Sequence, residues 1–393
     1  MSPPLCYTPA TPREVETIVA EAASDSRPLE VCGGGSKREM WTRAPAALLD
    51  LAAVAGILDY DADELVVTAL AGTPLAELET ALAERNQMLA FEPFDHGPLF
   101  GAPPGRATLG GIVAANVSGS RRISAGAARD HILGFAAVSG RGEAFKGGGA
   151  VVKNVTGFDL PKLMAGSWGT LAVLTSVTMR VLPRPRTEKT LLLRGPADEA
   201  ANRAMTSAMA SRVAVSAAAH LPAGAITGLR IEGFGPSVDA RCLELARDFQ
   251  SICSIEVIEG EESRAFWQRL GALDMLPIAG HVLWRISQPP AAGWKLASAL
   301  GALGAQCVYD WAGALLWAAL PEDRLDADSC VICDLARAHG GNAALIRAPP
   351  ERRRPSSGAP ARDPGMRRLQ SSIKAGFDPL GILNPGLDLG AGL

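Results

Sequence analysis

A run of three glycines is the first feature of this sequence that could do chemistry. Residues 33–35 are all glycine, follow the strand-like Leu29–Cys32 directly, and precede Ser36 and Lys37. Backbone amides without side chains can close round a diphosphate, and Ser36 adds a hydroxyl donor. A tight turn into the next element explains the same glycines about as well, so the loop by itself leaves both interpretations open.

Two further clusters of small and polar residues lie downstream. In the cluster 103–119, Thr108 is a candidate N-cap, and Gly110 and Gly111 in the next helical turn would let a ligand approach bare backbone. Packing of glycine against a neighbouring element explains that cluster equally well. The cluster 151–171 sets polar residues between small ones, directly before an alternating strand. Neither G-x-G-x-x-G nor G-x-x-x-x-G-K-[ST] occurs, which disfavours a Rossmann dinucleotide site and a P-loop.

The composition restricts the class of protein. Among 393 residues, 38 basic and 41 acidic side chains give a net charge of −3, so no broad positive field favours nucleic acid. The length predicts two or three domains, and 48% hydrophobic residues predict a globular chain with a sizeable core.

The first residues show no secretory signal, which predicts a cytoplasmic protein. Seven scattered cysteines form no disulfide framework, and the single CxxC at Cys330 and Cys333 is assigned to core packing.

Mixed helices and strands must position the clusters in the first half of the chain. Apolar spacing and capping residues predict a helix from Thr11-Pro12, strands at 29–32, 56–60 and 65–71, a helix from Thr73-Pro74, and an alternating strand at 171–182. Pro183 and Pro185 then predict a domain boundary.

The second half repeats one order of elements. Beyond Pro185 the pattern β-α-β-β-α-β occurs twice, which predicts two ferredoxin-like halves side by side in one antiparallel sheet. Residues 348–365 combine prolines with arginines and predict a mobile loop. The closing segment 366–393 reads as a helix followed by Phe377–Gly386.

The three clusters in this order, together with the tail at 377–386, resemble the vanillyl-alcohol oxidase type (PCMH-type) family of FAD-binding flavoproteins, and within it the glycolate oxidase branch. The resemblance implies an α+β protein. Residues 1–185 would form a two-subdomain FAD-binding domain, and residues 186–365 a ferredoxin-like α+β cap domain for substrate or partner. Residues 366–393 would return to the FAD domain.

The resemblance also implies which residues bind the cofactor. The matching positions are Gly33, Gly34, Gly35 and Ser36 in the diphosphate loop, Thr108, Gly110, Gly111, Asn116, Ser118 and Gly119 in the second stretch, Gly169, Thr170, Leu171 and Val173 in the third, and Asn384 in the tail. Many relatives attach FAD through a histidine directly after the glycine loop, whereas this chain has Ser36 there. The FAD is therefore expected to be non-covalent.

The substrate side of the site departs from the family. The related 2-hydroxy-acid dehydrogenases carry a Gly-Asp-Gly-Asn-Leu-His motif with further metal ligands, and this chain has only the comparable stretch 339–344, which begins at His339. We therefore expect no metal and assign no catalytic residue. Lys153, Arg230 and Arg285 are cations worth testing for a substrate carboxylate, although an ordinary salt bridge is the expected role of each arginine.

The implied function is that of the FAD-binding subunit of a glycolate (D-2-hydroxy acid) dehydrogenase complex. Hydride would pass from substrate C2 to flavin N5, and electrons would continue through an iron–sulfur subunit, with a homologous FAD-containing catalytic subunit as a further partner. The complex would hold the protein at most peripherally at the inner face of the cell membrane. Two other functions stay open: a non-catalytic flavin-bearing assembly or electron-relay subunit, favoured by the missing His/Asp motif, and a self-sufficient oxidase that reduces O₂.

Overall fold

The computed structural model describes residues 5–149, 158–324, 330–353 and 364–387, and it groups the chain into two units. The first comprises Met1–Ser118, Ala127–Pro183 and Arg353–Leu393, and the second comprises Gly119–Gly126 and Arg184–Arg352. Residues 119–126 were predicted to belong to the first domain, and the predicted domain boundaries at 185 and 365 stay predictions. Lys153, most of the proposed loop at 348–365 and the first part of the cluster 151–171 lie outside the described residues.

The described residues up to Pro183 form short strands and helices. In chain order they are β1 (Cys6–Tyr7), α1 (Pro12–Ser24), β2 (Leu29–Cys32), β3 (Ala47–Asp50), β4 (Ile57–Asp61), β5 (Val66–Leu70), α2 (Leu75–Glu84), β6 (Gln87–Met88), α3 (Leu109–Ala115), α4 (Arg122–Ala125), α5 (Ala128–His131), β7 (Ile132–Ser139), β8 (Ala144–Gly148), α6 (Leu160–Met164), β9 (Ala172–Arg180) and β10 (Leu182–Pro183).

The remaining elements follow Pro183. They are β11 (Thr187–Arg194), α7 (Asp198–Ala210), β12 (Ala217–Leu221), β13 (Ile226–Gly233), α8 (Gly235–Phe249), β14 (Ser254–Glu259), α9 (Glu261–Gly271), β15 (His281–Ser287), α10 (Gly293–Ala302), β16 (Gln306–Asp310), β17 (Leu315–Pro321), α11 (Cys330–Ala338), β18 (Asn342–Arg347) and α12 (Pro364–Phe377). No helix in the described parts of the chain is both long enough and apolar enough to cross a bilayer.

The first unit contains two main sheets. A parallel sheet has the strand order β1-β3-β2, and an antiparallel sheet has the order β4-β5-β9-β7-β8. Helix α1 begins as predicted, since the Thr11 hydroxyl accepts a hydrogen bond from the Glu14 amide at 3.2 Å and Pro12 is the first helical residue. Val15 and Val19 of α1 are buried against β2 and β3 residues, which fixes the start of the glycine loop at the end of β2.

The second unit is one antiparallel sheet with helices packed on it. Its strand order is β14-β11-β13-β12-β16-β17-β15-β18, in which each half has the ferredoxin-like arrangement and the halves meet where His220 of β12 pairs with Tyr309 of β16. The α+β architecture and the two repeated halves are confirmed. The repeat could be predicted from the sequence because each of its strands and helices has its own hydrophobic period.

The two faces of this sheet differ in chemistry. One face carries the apolar core, to which α7, α8 and α10 contribute. Because side chains alternate along a strand, Trp284 and Ile286 join that core while Arg285 between them lies on the opposite face. The opposite face also holds Arg230 and Glu188, and these charged side chains are buried too.

Candidate functional site

An open pocket lies in the first unit, where β2 ends. The glycine loop that follows β2, the first turn of α3, the turn at Trp168-Gly169 and Asn384 of the tail all line it. Residues from four separate segments of the chain therefore meet at this pocket.

The glycine loop presents unused hydrogen-bond donors. In the described parts of the chain, no hydrogen bond uses the backbone N–H of any residue from Gly33 to Lys37. Gly35 has a φ of +77°, a conformation that glycine adopts without strain. Successive amides without acceptors form a concave anion site of the kind that holds phosphate groups.

Lys37 adds a buried positive charge to this loop. Its side chain is only 8% exposed, and its Nζ donates to the Ser36 hydroxyl at 3.2 Å. None of the described carboxylates comes within 4 Å of that nitrogen. Burial lowers the pKa of Lys37 to about 8, against the opposing charge of Asp95. A buried ammonium without an ion-pair partner is costly unless an anion joins it, so the loop and Lys37 together fit a phosphate ligand.

Two arginines add to the positive charge at the pocket. Arg38 donates to both oxygens of Glu30 at 2.6 and 2.9 Å, and Arg43 lies 3.0 Å from the same carboxylate. Burial opposes ionisation of Glu30, but its hydrogen bond with Arg38 and the charges of both arginines outweigh burial and lower its pKa. Two guanidinium groups share this carboxylate, and the charge of Glu39 acts on both of them as well.

Packing within the protein accounts for several of the glycines. A Cβ on Gly34 would lie 1.8 Å from the carbonyl oxygen of Arg106, and one on Gly33 would lie 2.4 Å from the Thr108 hydroxyl. A Cβ on Gly110 would lie 2.7 Å from that of Ala71. These glycines let the loop and the start of α3 approach closely, so the packing interpretation holds for them alongside any ligand role.

Nine of the expected cofactor residues line the pocket. They are Gly33, Gly34, Gly35, Ser36, Thr108, Gly110, Gly111, Gly169 and Asn384. The structure does not bring the other six to the pocket lining. These are Asn116, Ser118, Gly119, Thr170, Leu171 and Val173. Cofactor contact by any of them stays a prediction.

Strand β9 shows why some expected residues miss the pocket. The side chains of Leu171 and Val173 are completely buried, whereas Ala172 and Leu174 line the pocket. Alternate residues of a strand face opposite sides, so the side chains of Ala172 and Leu174 lie on the face that meets the pocket.

Asn116, Ser118 and Gly119 make hydrogen bonds within the protein. The Asn116 carboxamide oxygen accepts from the Arg129 amide at 3.0 Å, and the Ser118 hydroxyl accepts from the Ala128 amide at 3.1 Å. Gly119 belongs to the second unit, where its carbonyl accepts from the Trp311 indole at 3.0 Å. These hydrogen bonds account for the polar side chains of Asn116 and Ser118 without a ligand.

Asn384 fastens the tail to the pocket walls. Its Oδ1 accepts from the Val31 amide at 2.7 Å, and its Nδ2 donates to the Trp168 carbonyl at 2.7 Å. Nearby, Lys374 of α12 donates to the carbonyls of Thr170 and Leu383 at 2.6 and 3.0 Å. Asn384 is therefore placed as a positioning residue that holds β2 and the Trp168-Gly169 turn together.

Two tryptophans at the pocket were not predicted from the sequence. Trp41 and Trp168 both line it, and their rings meet edge to face with centroids 4.4 Å apart. The Trp168 indole N–H is buried and has no acceptor among the described residues. No local pattern marks either residue, whereas the position of Lys37 directly after the glycines was a usable signal.

The pocket fits the FAD that the resemblance implies. Unused amides and buried Lys37 suit the diphosphate, and the indole N–H of Trp168 offers a donor to a polar ring atom. The described residues contain no group of three His, Cys, Asp or Glu side chains that could hold a metal ion. His339 lies outside the first unit, and its Nδ1 is 2.9 Å from the Leu335 carbonyl oxygen.

Comparison with known proteins supports FAD as the cofactor. The FAD binding domain family matches residues 3–148. The glycolate oxidase subunit GlcE of Escherichia coli (strain K12) is 36% identical over 380 residues, which cover 94% of this chain and 94% of that protein. A D-lactate dehydrogenase of Archaeoglobus fulgidus is 32% identical over 194 residues, covering 49% of this chain and 41% of that protein.

The fold also has solved counterparts. The crystal structure of p-cresol methylhydroxylase with substrate bound aligns with a TM-score of 0.74 at 16% identity, covering 98% of this chain and 89% of that one. The resemblance to PCMH-type flavoproteins is thereby confirmed. The chain belongs to the family of FAD-binding oxidoreductases that includes the glycolate oxidase subunit GlcE.

Proposed function

We propose that this protein is the FAD-bearing subunit of a complex that oxidises glycolate or a similar 2-hydroxy acid and passes the electrons to an iron–sulfur subunit. The likeness to GlcE supports the proposal, because it extends over 94% of both chains. The pocket with buried Lys37 supports the cofactor assignment. Bound FAD would supply the redox chemistry by accepting the substrate's hydride.

Residues of the first unit would hold the FAD through its diphosphate. Amides 33–37 and the Lys37 ammonium would bind the diphosphate, and Arg43 would add to the positive potential. Trp41 and Trp168 would provide an apolar wall with one indole donor. Asn384 would keep this wall at the end of β2 through its two hydrogen bonds.

Acid is expected to release the FAD completely. Ser36 stands where many relatives carry the histidine that bonds covalently to the flavin, and a serine hydroxyl is a much weaker nucleophile than an imidazole nitrogen. The measurement is flavin absorbance in the supernatant and the pellet after trichloroacetic acid precipitation. Yellow colour retained by the pellet would contradict non-covalent binding.

FAD affinity is expected to fall as the pH rises above about 8. Burial lowers the pKa of Lys37 to about 8 in the empty pocket, so the ammonium that attracts the diphosphate is lost above that pH. The dissociation constant should be nearly constant below about pH 7 and rise by up to about tenfold per pH unit above 8. Fluorescence titration of the apoprotein between pH 6.5 and 9 measures this. Lys37→Arg stays cationic and should give a flat profile, and an equally flat wild-type profile would contradict the assignment.

Anaerobic reduction by glycolate tests the proposed reaction. The flavin absorbance of the complex purified from native cells should bleach on addition of glycolate, and an iron–sulfur subunit should co-purify. The same measurement is made on the isolated chain. Without the partner subunits, its flavin absorbance should bleach slowly or not at all. Bleaching of the complex that persists when this chain is stripped of FAD would instead assign it a non-catalytic assembly role. Rapid peroxide production by the isolated chain would identify a self-sufficient oxidase.

A further inference from the structure

A cleft lies in the second unit, beside the strands at which its two halves meet. In the described part of the chain, β12 and β16 pair at one position, His220 with Tyr309, although each strand pairs over five residues with a neighbour in its own half. A cleft of about 590 Å³ lies between the start of β16, the turn after β12 and one face of α10. Volumes of about 300–1,000 Å³ are typical of sites for small organic molecules. The cleft is therefore large enough to hold one.

The walls of this cleft are mostly apolar. Leu221 and Ile226 come from the hairpin of β12 and β13, Leu276 comes from the segment after α9, and Val308 comes from β16. Among the described residues that line the cleft, Asp198 at the start of α7 is the one charged side chain. Apolar walls with a single carboxylate are complementary to a ligand that has a cationic group and an apolar body.

Two buried side chains hold the Asp198 carboxylate in place. The Tyr309 hydroxyl donates to its Oδ2 at 2.7 Å, and Nε2 of His220 lies 3.5 Å from its Oδ1. The rings of Tyr309 and His220 are completely buried, whereas the Asp198 side chain is 40% exposed. The pair of residues that joins the two halves therefore also orients the carboxylate of the cleft.

The Asp198 carboxylate has capacity for a further donor. A carboxylate has about four acceptor sites, and 3.5 Å is longer than a normal hydrogen bond, so His220 leaves Oδ1 available. No described lysine or arginine lies within 4 Å of this carboxylate. The neighbouring His220 ring and the Tyr309 hydroxyl lower the pKa of Asp198 in spite of its partial burial. The group is therefore negatively charged at neutral pH and can attract a cation.

We propose that this cleft binds a small organic amine, whose ammonium group pairs with Asp198 and whose apolar body lies against the walls. One ammonium group balances one carboxylate, and charge-assisted hydrogen bonds of this kind are stronger than neutral ones. The site lies within the second unit and shares no residue with the lining of the FAD pocket. It is therefore independent of the proposed function.

Titration of the full FAD-loaded protein with benzylamine tests the site, and benzyl alcohol is the uncharged probe of similar shape. Calorimetry at about pH 7, where an alkylamine is protonated, gives the two dissociation constants. The wild type should bind the amine at least about tenfold more tightly than the alcohol, and Asp198→Asn should lose this preference. The matched control is Glu199→Gln. Glu199 is the next residue of α7, pairs with Arg203 and does not line the cleft, so its variant should keep the preference.

A second variant tests the cleft without changing a charge. Gly301 of α10 lines the cleft, and a Cβ there would meet no atom within 4 Å. Gly301→Leu should therefore fold normally, since leucine is also the better helix former, and should weaken the binding of both probes by at least about tenfold because its side chain occupies part of the cleft.

Three results would overturn the proposal. The first is equal affinity of the wild type for benzylamine and benzyl alcohol. The second is an Asp198→Asn protein with a lower thermal midpoint and unchanged amine binding, which would show that Asp198 only stabilises the start of α7 and its contacts with Tyr309 and His220. The third is unchanged binding of both probes in Gly301→Leu, which would place them outside the cleft.

Discussion

Lys37→Met is expected to weaken FAD binding by about tenfold to a hundredfold, since charge-assisted hydrogen bonds contribute about 1.5–3 kcal/mol. The side chain is buried beside five unused amides and has no carboxylate partner in the described structure, so the anion of the ligand is its natural counterion. Flavin fluorescence titration of the apoprotein measures the change. The fold should survive, because methionine fills a similar volume and removes a costly buried charge.

The matched control for this substitution is Lys162→Met. Lys162 belongs to the same unit, but its side chain is about half exposed, pairs with Asp159 at 2.8 Å and does not line the pocket. The control should bind FAD as the wild type does. Equal FAD affinity in Lys37→Met and the wild type would show that Lys37 is not the diphosphate partner.

Gly34→Ala is expected to remove bound FAD and to lower the thermal midpoint as well. A Cβ at this position would lie 1.8 Å from the Arg106 carbonyl oxygen, which is backbone and has little freedom to move away. Contacts this close lower the free energy of unfolding by about 1–3 kcal/mol. Here they would also displace the loop from the conformation that exposes its amides. Flavin content after purification and the thermal midpoint of the apoprotein are the two measurements.

Gly149→Ala is the control for the glycine loop. Gly149 lies in the same unit, and a Cβ there would meet no atom within 4 Å. Its variant should keep FAD and the wild-type midpoint. A Gly34→Ala protein with normal flavin content would mean that the loop tolerates displacement and that its amides do not hold the diphosphate.

Local patterns in the sequence were enough to predict most elements. The cap at Thr11 and the leucines at 75, 78 and 82 predicted α1 and α2, and all three leucines are buried. These signals work because a cap and a 3.6-residue period depend only on neighbours in the chain. The same holds for the second unit, where the repeated order of elements determined the sheet topology.

The site was predictable only in part. Glycines 33–35 and Ser36 lie at the pocket as expected, because a strand that ends in glycines exposes its next amides wherever it is placed. Cofactor contact by Leu171 and Val173 stays a prediction, and the structure places Ala172 and Leu174 at the pocket lining. Both faces of β9 are apolar, so the residue pattern carries no information about which face meets the pocket.

The sequence by itself determined the α+β architecture and the glycine loop after β2. Only the tertiary structure decided that Lys37 is buried with no carboxylate within ion-pair distance in the described part of the chain, and that Trp41 meets Trp168. The reason is physical. Helix and strand formation depend on neighbours within a few residues, whereas the cost of a buried charge depends on which distant residues surround it.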